Sequence, residues 1–319
     1  MYRKISIIVI LAGLLVLMGI YFLTKFTGSN DSPLKEKILT INPELVTRVQ
    51  VYDHQAGDEV EIVHKDGAWK LLSKGKEYNG SPEAIGNALV MLNRLPTESI
   101  AATKSKKWEE FKVDEDQALH IEIFEGDKQT GDVYVGKFDF VQIPATEPGK
   151  QPQTRMTSYV RSADDDRVYA VNGILRSNFQ GGITPFRNRT LFYTREPLTD
   201  ISRISISGPE GDAMLDLSGK WALNGTAVDS IKTDRYLRGL ARLRSSHFVD
   251  DVDIISLESV YTIKIEGESF SPVSLSAYAA DSTIQYYITS SANPGAIFNG
   301  AKGNTFEKIF EVAEALLPE

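Results

Sequence analysis

Imidazole exchanges protons readily near neutral pH and is a common nitrogen ligand for zinc. The chain has four such rings, His54, His64, His120 and His247. None stands in H-E-x-x-H or H-x-H spacing, so neither one helix nor one strand sets up a metal pair. Each reads as a structural or exposed ring. Cysteine is absent, which excludes thiolate nucleophiles, thiolate metal sites and disulfides.

Carboxylates number 43, and a glycoside hydrolase needs two of them at a set separation. The linear order singles out no pair. Asp164, Asp165 and Asp166 fall between two strand patterns and read as a hairpin tip. Asp250, Asp251 and Asp253 lack the spacing of a calcium loop and read as a solvated turn. No G-x-S-x-G elbow occurs. Gly131 to Lys137 fits G-x-x-x-x-G-K, but Phe138 stands where a hydroxyl must reach magnesium, and the interior alternates as a strand does.

Two groups of cations have a spacing worth noting. Lys232, Arg235, Arg238 and Arg242 fall on one face of a predicted helix, opposite its leucine stripe. That face reads as solvated, or as a place for an acidic partner or an anionic glycan. Arg187 and Arg189 lie in the segment Gly181–Phe192. This reads as a linker whose Phe186 and Leu191 pack on one domain, or as a latch between two domains. These six residues are the candidate partner-binding set. No catalytic residue, cofactor or metal is expected.

The elements that must position them follow from hydropathy. Ile5 to Leu23 is nineteen residues without a charge, roughly 28 Å as a helix and about one hydrocarbon core. Arg3 and Lys4 flank one end and Lys25 the other, which predicts a single-pass bacterial inner-membrane anchor with the N-terminus inside and the bulk of the chain extracytoplasmic. A formal net charge of −8 disfavours nucleic acid as a partner. The expected partners are the bilayer, through residues 5–23, and a membrane protein.

Beyond the anchor the chain repeats. Val46, Val49 and Val51 match Ile201, Ile204 and Ile206; Gly67-Ala68-Trp69-Lys70-Leu71 matches Gly219-Lys220-Trp221-Ala222-Leu223. Each copy then has an amphipathic helix, with Ile85, Leu89 and Leu92 in one and Tyr236, Leu237 and Leu240 in the other. The strand Leu119–Ile123 matches Tyr261–Ile265, and Asn172-Gly173 matches Asn299-Gly300. The predicted fold class is α+β: a transmembrane helix, then two tandem, similar, mainly antiparallel sheet domains with covering helices. Residues 1–26 are the cytoplasmic tip and anchor, 27–43 a tether, 44–182 the first repeat, 183–198 a connector and 199–319 the second repeat. Residues 138–156 read as an exposed loop inserted in the first copy.

In their order, the single N-terminal span, Asp66–Leu71, Leu92-Asn93-Arg94-Leu95, Trp108–Val113, Tyr134–Lys137, Ser158–Arg161, Val168–Val171 and Phe186–Leu191 resemble the bacterial domain of unknown function 4340 family. The resemblance implies a membrane-anchored accessory of ABC-type transport or gliding-motility systems, non-catalytic and with no catalytic residue to carry over. The expected function is therefore an extracytoplasmic binding or scaffold protein. The alternative is a cell-envelope hydrolase acting on glycans through paired carboxylates.

Overall fold

The computed structural model describes residues 34–143, 153–311 and 314–318. The apolar run 5–23, and with it the expected anchor, lies outside the described residues. Among those described, no helix is long and apolar enough to cross a membrane.

The first sheet is built from β1 (Val46–Asp53), β2 (Asp58–Lys65), β3 (Ala68–Ser73), β4 (Lys76–Asn79), β5 (Thr97–Ala102), β6 (Leu119–Glu125), β7 (Lys128–Ile143), β8 (Gln153–Ser162) and β9 (Val168–Asn172). Its order is β4-β3-β2-β1-β6-β7-β8-β9-β5, and each neighbouring pair is antiparallel. Alternation sends Val49 and Val51 to the same buried face as Ile62, Ile121 and Ile123. Helix α1 (Pro82–Asn93) contributes Ile85, Leu89 and Leu92 to that core. It starts where the sequence places it, with the Ser81 hydroxyl accepting from the Ala84 amide at 3.2 Å and proline at the first position. A short helix, α2 (Trp108–Phe111), precedes β6.

The second sheet comprises β10 (Ile201–Ser207), β11 (Ala213–Ser218), β12 (Lys220–Leu223), β13 (Thr226–Ala227), β14 (Ser259–Gly267), β15 (Val273–Ala279), β16 (Tyr286–Ser290) and β17 (Phe298–Asn299). Its order is β13-β12-β11-β10-β14-β15-β16-β17. Apart from the extra edge strand β5, this is the order of the first sheet. Helices α3 (Pro197–Asp200), α4 (Ser230–Leu240) and α5 (Thr305–Phe310) accompany it. Two similar antiparallel sheets with few helices are therefore present, as expected. Even an irregularity repeats: the register shifts between Val46 and Arg48 in the β1–β6 pair and between Ile201 and Arg203 in the β10–β14 pair. At both bulges a hydroxyl, Thr47 or Ser202, donates to the partner strand, to Phe124 O at 3.4 Å and Glu266 O at 3.3 Å. The β2–β3 hairpin turns on Asp66 and Gly67, both at positive φ, 52° and 78°. This is the demand that selects Asp-Gly there.

Two expectations need correction. Residues 138–156 are not simply a loop: β7 runs on to Ile143 and β8 begins at Gln153, so Phe140 pairs with Met156 in an extended hairpin. The Pro-rich centre, 144–152, lies outside the described residues. The tether assigned to 27–43 packs against the first domain from Leu34 onward, with Ile38, Leu39 and Ile41 buried in its core. The segment Gly131–Lys137 lies in a strand, as its alternation predicts, and Gly131 and Gly136 are packing positions there. A Cβ on Gly131 would press on Ile123, and one on Gly136 would collide with the loop after α2.

Candidate functional site

Helix α4 begins at Asp229, whose carboxylate caps the amides of Ile231 and Lys232 at 2.9 and 2.8 Å. Its inner face buries Thr233, Tyr236, Leu237 and Leu240. The cap and this apolar stripe fix the rotation of the helix, so Lys232 and Arg235 turn toward the loop 241–247 and toward α5. Between these elements lies a groove of about 890 Å³. Tyr236, Leu240, Leu243 and Leu316 form its floor. Its rim carries Lys232, Arg235, Arg242, Arg244 and Lys308, with His247 beside them and no carboxylate among the described lining residues.

The cations differ in how they are held. Lys232 Nζ donates to Leu317 O at 3.3 Å and Lys308 Nζ to Gly303 O at 2.7 Å. Arg244 reaches Glu83 at 2.8 Å, both side chains more than half exposed, an ion pair that costs little to exchange. The guanidinium groups of Arg235 and Arg242 have no hydrogen bond or ion pair with any described residue. The Tyr236 hydroxyl donates to Ile309 O at 3.3 Å, and burial pushes its pKa up, so it stays neutral beneath the charged rim. Gly239, also in the lining, sits inside the helix, where a Cβ would meet nothing within 4 Å. A helix-interior glycine costs about 1 kcal/mol relative to alanine; here it leaves the helix backbone open to the groove.

Guanidinium forks match carboxylates and phosphates in two parallel hydrogen bonds. A concave surface carrying one sign of charge focuses its field beyond the reach of any single residue. In a chain of net charge −8, this groove is suited to an anion.

Of the six residues read from the sequence, Lys232, Arg235 and Arg242 meet here, although Arg242 lies just past the helix rather than on it. Arg238 does not line the groove and pairs with Asp234 at 2.9 Å. Sequence reasoning missed Arg244, His247 and Lys308, which arrive from other elements. A helical wheel sees one element at a time.

Arg187 is used inside the molecule. It is 6% exposed, lies over the rings of Phe248 and Tyr78 at 3.6 and 4.7 Å, and pairs with Asp250. Arg189 stays exposed, donating to Thr184 O at 3.1 Å while its own carbonyl accepts from Ser245 N at 2.9 Å. The connector is thus a latch: Phe186 is buried in the first core, and Leu191 and Phe192 in the second. Asn79 of the first domain donates to Asn293 and Pro294 of the second at 3.0 and 2.8 Å. The acids Asp250 and Asp251, expected to be merely solvated, ion-pair with Arg187 and Lys76 across the junction.

A family model described as a domain of unknown function, number 4340, matches residues 69–259. The matched stretch runs from β3 through the latch and α4 to the start of β14. No curated protein and no solved structure matches the chain. The chain belongs to the domain of unknown function 4340 family.

Proposed function

We propose that this family member is a binding and scaffold protein of the cell envelope, held to the membrane by residues 5–23. In this reading its second domain receives an acidic segment of a membrane protein partner, as an accessory component of an ABC-type transport system. One observation carries it: five cations from three elements converge on a single groove whose lining, among the described residues, holds no carboxylate, in a chain that is otherwise acidic. The hydrophobic N-terminal run supplies the membrane tether, and the latch holds the groove in a set relation to the first domain.

The test is cross-linking in native membranes followed by mass spectrometry, with wild type, Arg235→Glu/Arg242→Glu and Arg238→Glu compared. A transporter subunit captured by wild type and Arg238→Glu, and lost from the double variant, supports the reading. Equal capture by all three, or recovery of this chain alone, overturns it.

A further inference from the structure

We propose that the outer face of the first sheet carries a divalent-cation site formed by His120, Glu122 and Asp132. His120 and Glu122 are two apart on β6 and so share the face opposite the buried Leu119, Ile121 and Ile123. Asp132 lies directly across from Glu122 on β7. One ligand atom from each of the three falls within 4.8 Å of the others. His120 Nε2 and Asp132 Oδ1 are 2.7 Å apart.

Like charges directly opposite one another in an antiparallel pair are destabilising. Neither Glu122 nor Asp132 has a Lys or Arg ion pair among the described residues. Their repulsion is bridged by one neutral amide: Gln129 Nε2 donates to Glu122 Oε1 at 2.8 Å and to Asp132 Oδ2 at 3.1 Å. The His120 ring is held against Tyr134, 4.2 Å between centroids and 4° from parallel, with Tyr52 near its other side at 5.6 Å. The donor set is therefore oriented before any ion arrives.

The second domain supplies an internal control. Ile121 pairs with Val51 and Val133, and Ile263 pairs with Ile206 and Leu275 in the same way. The positions matching His120, Glu122 and Asp132 are therefore Thr262, Lys264 and Ser274. There the same topology is built with a lysine and two hydroxyls, so the fold itself does not call for an imidazole and two facing carboxylates. One imidazole with two carboxylates suits a first-row divalent ion such as zinc or manganese. At about 2.0–2.2 Å from each ligand, zinc draws the carboxylates inward in place of the amide bridge and leaves room for water.

The test uses the untagged full chain in detergent, stripped with EDTA, then titrated with Zn²⁺ or Mn²⁺ by calorimetry and by thermal unfolding. Wild type and His247→Ala are expected to bind one equivalent with a rise in Tm. Glu122→Gln and Asp132→Asn should lose at least about tenfold in affinity, since even supporting partners of metal ligands are worth 10–100-fold. In EDTA both neutral variants should unfold at a higher temperature than wild type, because the facing charges are gone. Absence of binding, binding equal in Glu122→Gln and wild type, or variants less stable than wild type in EDTA would each overturn the site, the last by showing that the carboxylates serve only the hydrogen-bond network.

Discussion

The Arg187 guanidinium grips the Asp250 carboxylate through two hydrogen bonds, 2.8 and 2.9 Å long, joining the connector to the loop after the second domain's helix. The arginine is buried between aromatic rings while the aspartate side chain stays 40% exposed. Loss of the arginine therefore removes packing and two charge-assisted bonds together. Loss of the aspartate strands a buried cation.

Arg187→Ala should cost about 2 kcal/mol, within the range for hydrogen bonds to charged groups, and Arg187→Lys should recover little of it because a point charge cannot fork or stack. Differential scanning calorimetry also reads the coupling. A single transition in wild type is expected to broaden or split as the two cores lose their shared latch. An unchanged profile in Arg187→Ala would show that the cores are joined through other contacts.

Gly136→Ala should cost about 1–3 kcal/mol or more, the range for overpacking. The added methyl would collide with the Phe111 carbonyl and stand 2.7 Å from Val113 Cγ1 and 2.9 Å from Lys112 O. Urea unfolding measures this. A neutral result would mean that the loop after α2 yields freely.

Asp165 should govern part of the acid sensitivity. Burial works to raise its carboxyl, but hydrogen bonds from Arg167, Tyr169 and Lys35 outweigh that and hold it well below the usual carboxylate range. The Tyr169 hydroxyl is correspondingly pushed up to about 12 by burial and by its bond to Asp165. A carboxyl more acidic folded than unfolded stabilises above its unfolded value, about 3.9. That contribution fades as pH falls toward the folded value. Wild type should exceed Asp165→Asn in stability at pH 7, with the gap closing below about pH 4. Denaturation at a series of pH values tests it, and a constant gap would contradict the assignment.

Ile123→Val and Ile265→Val occupy matching, fully buried sites paired with Val49 and Ile204. Each should cost about 0.5–1.5 kcal/mol. Because the two side chains lie in separate cores, the double variant should be additive within about 0.5 kcal/mol. Strong non-additivity would reveal energetic communication through the latch.

Much of the architecture was legible because it is written in local, periodic signals. Alternating valines and isoleucines state which strand face is buried, and the apolar stripes of α1 and α4, with Ser81 and Asp229 before them, state where helices begin and which side they bury. Doubling of the pattern revealed two similar sheets. The 138–156 segment was misread because Pro and Gln content suggested a loop, whereas Phe138, Phe140 and Met156 sit on strands whose pairing continues past the sheet's neighbours.

The sites were legible only in fragments. Lys232 and Arg235 share a helix face, but their meeting with Arg244, His247 and Lys308 depends on how a loop and α5 pack on α4, which no periodicity encodes. His120 and Glu122 were an unremarked pair two apart, and Asp132 joined them only through the register of a hairpin. Arg187 looked available to a partner until tertiary packing placed it between Phe248 and Tyr78. Periodic hydropathy determines what is buried within an element, because burial acts residue by residue along one chain. Convergence of charge from distant elements depends on their packing angle and register, and those are decided only when the cores close.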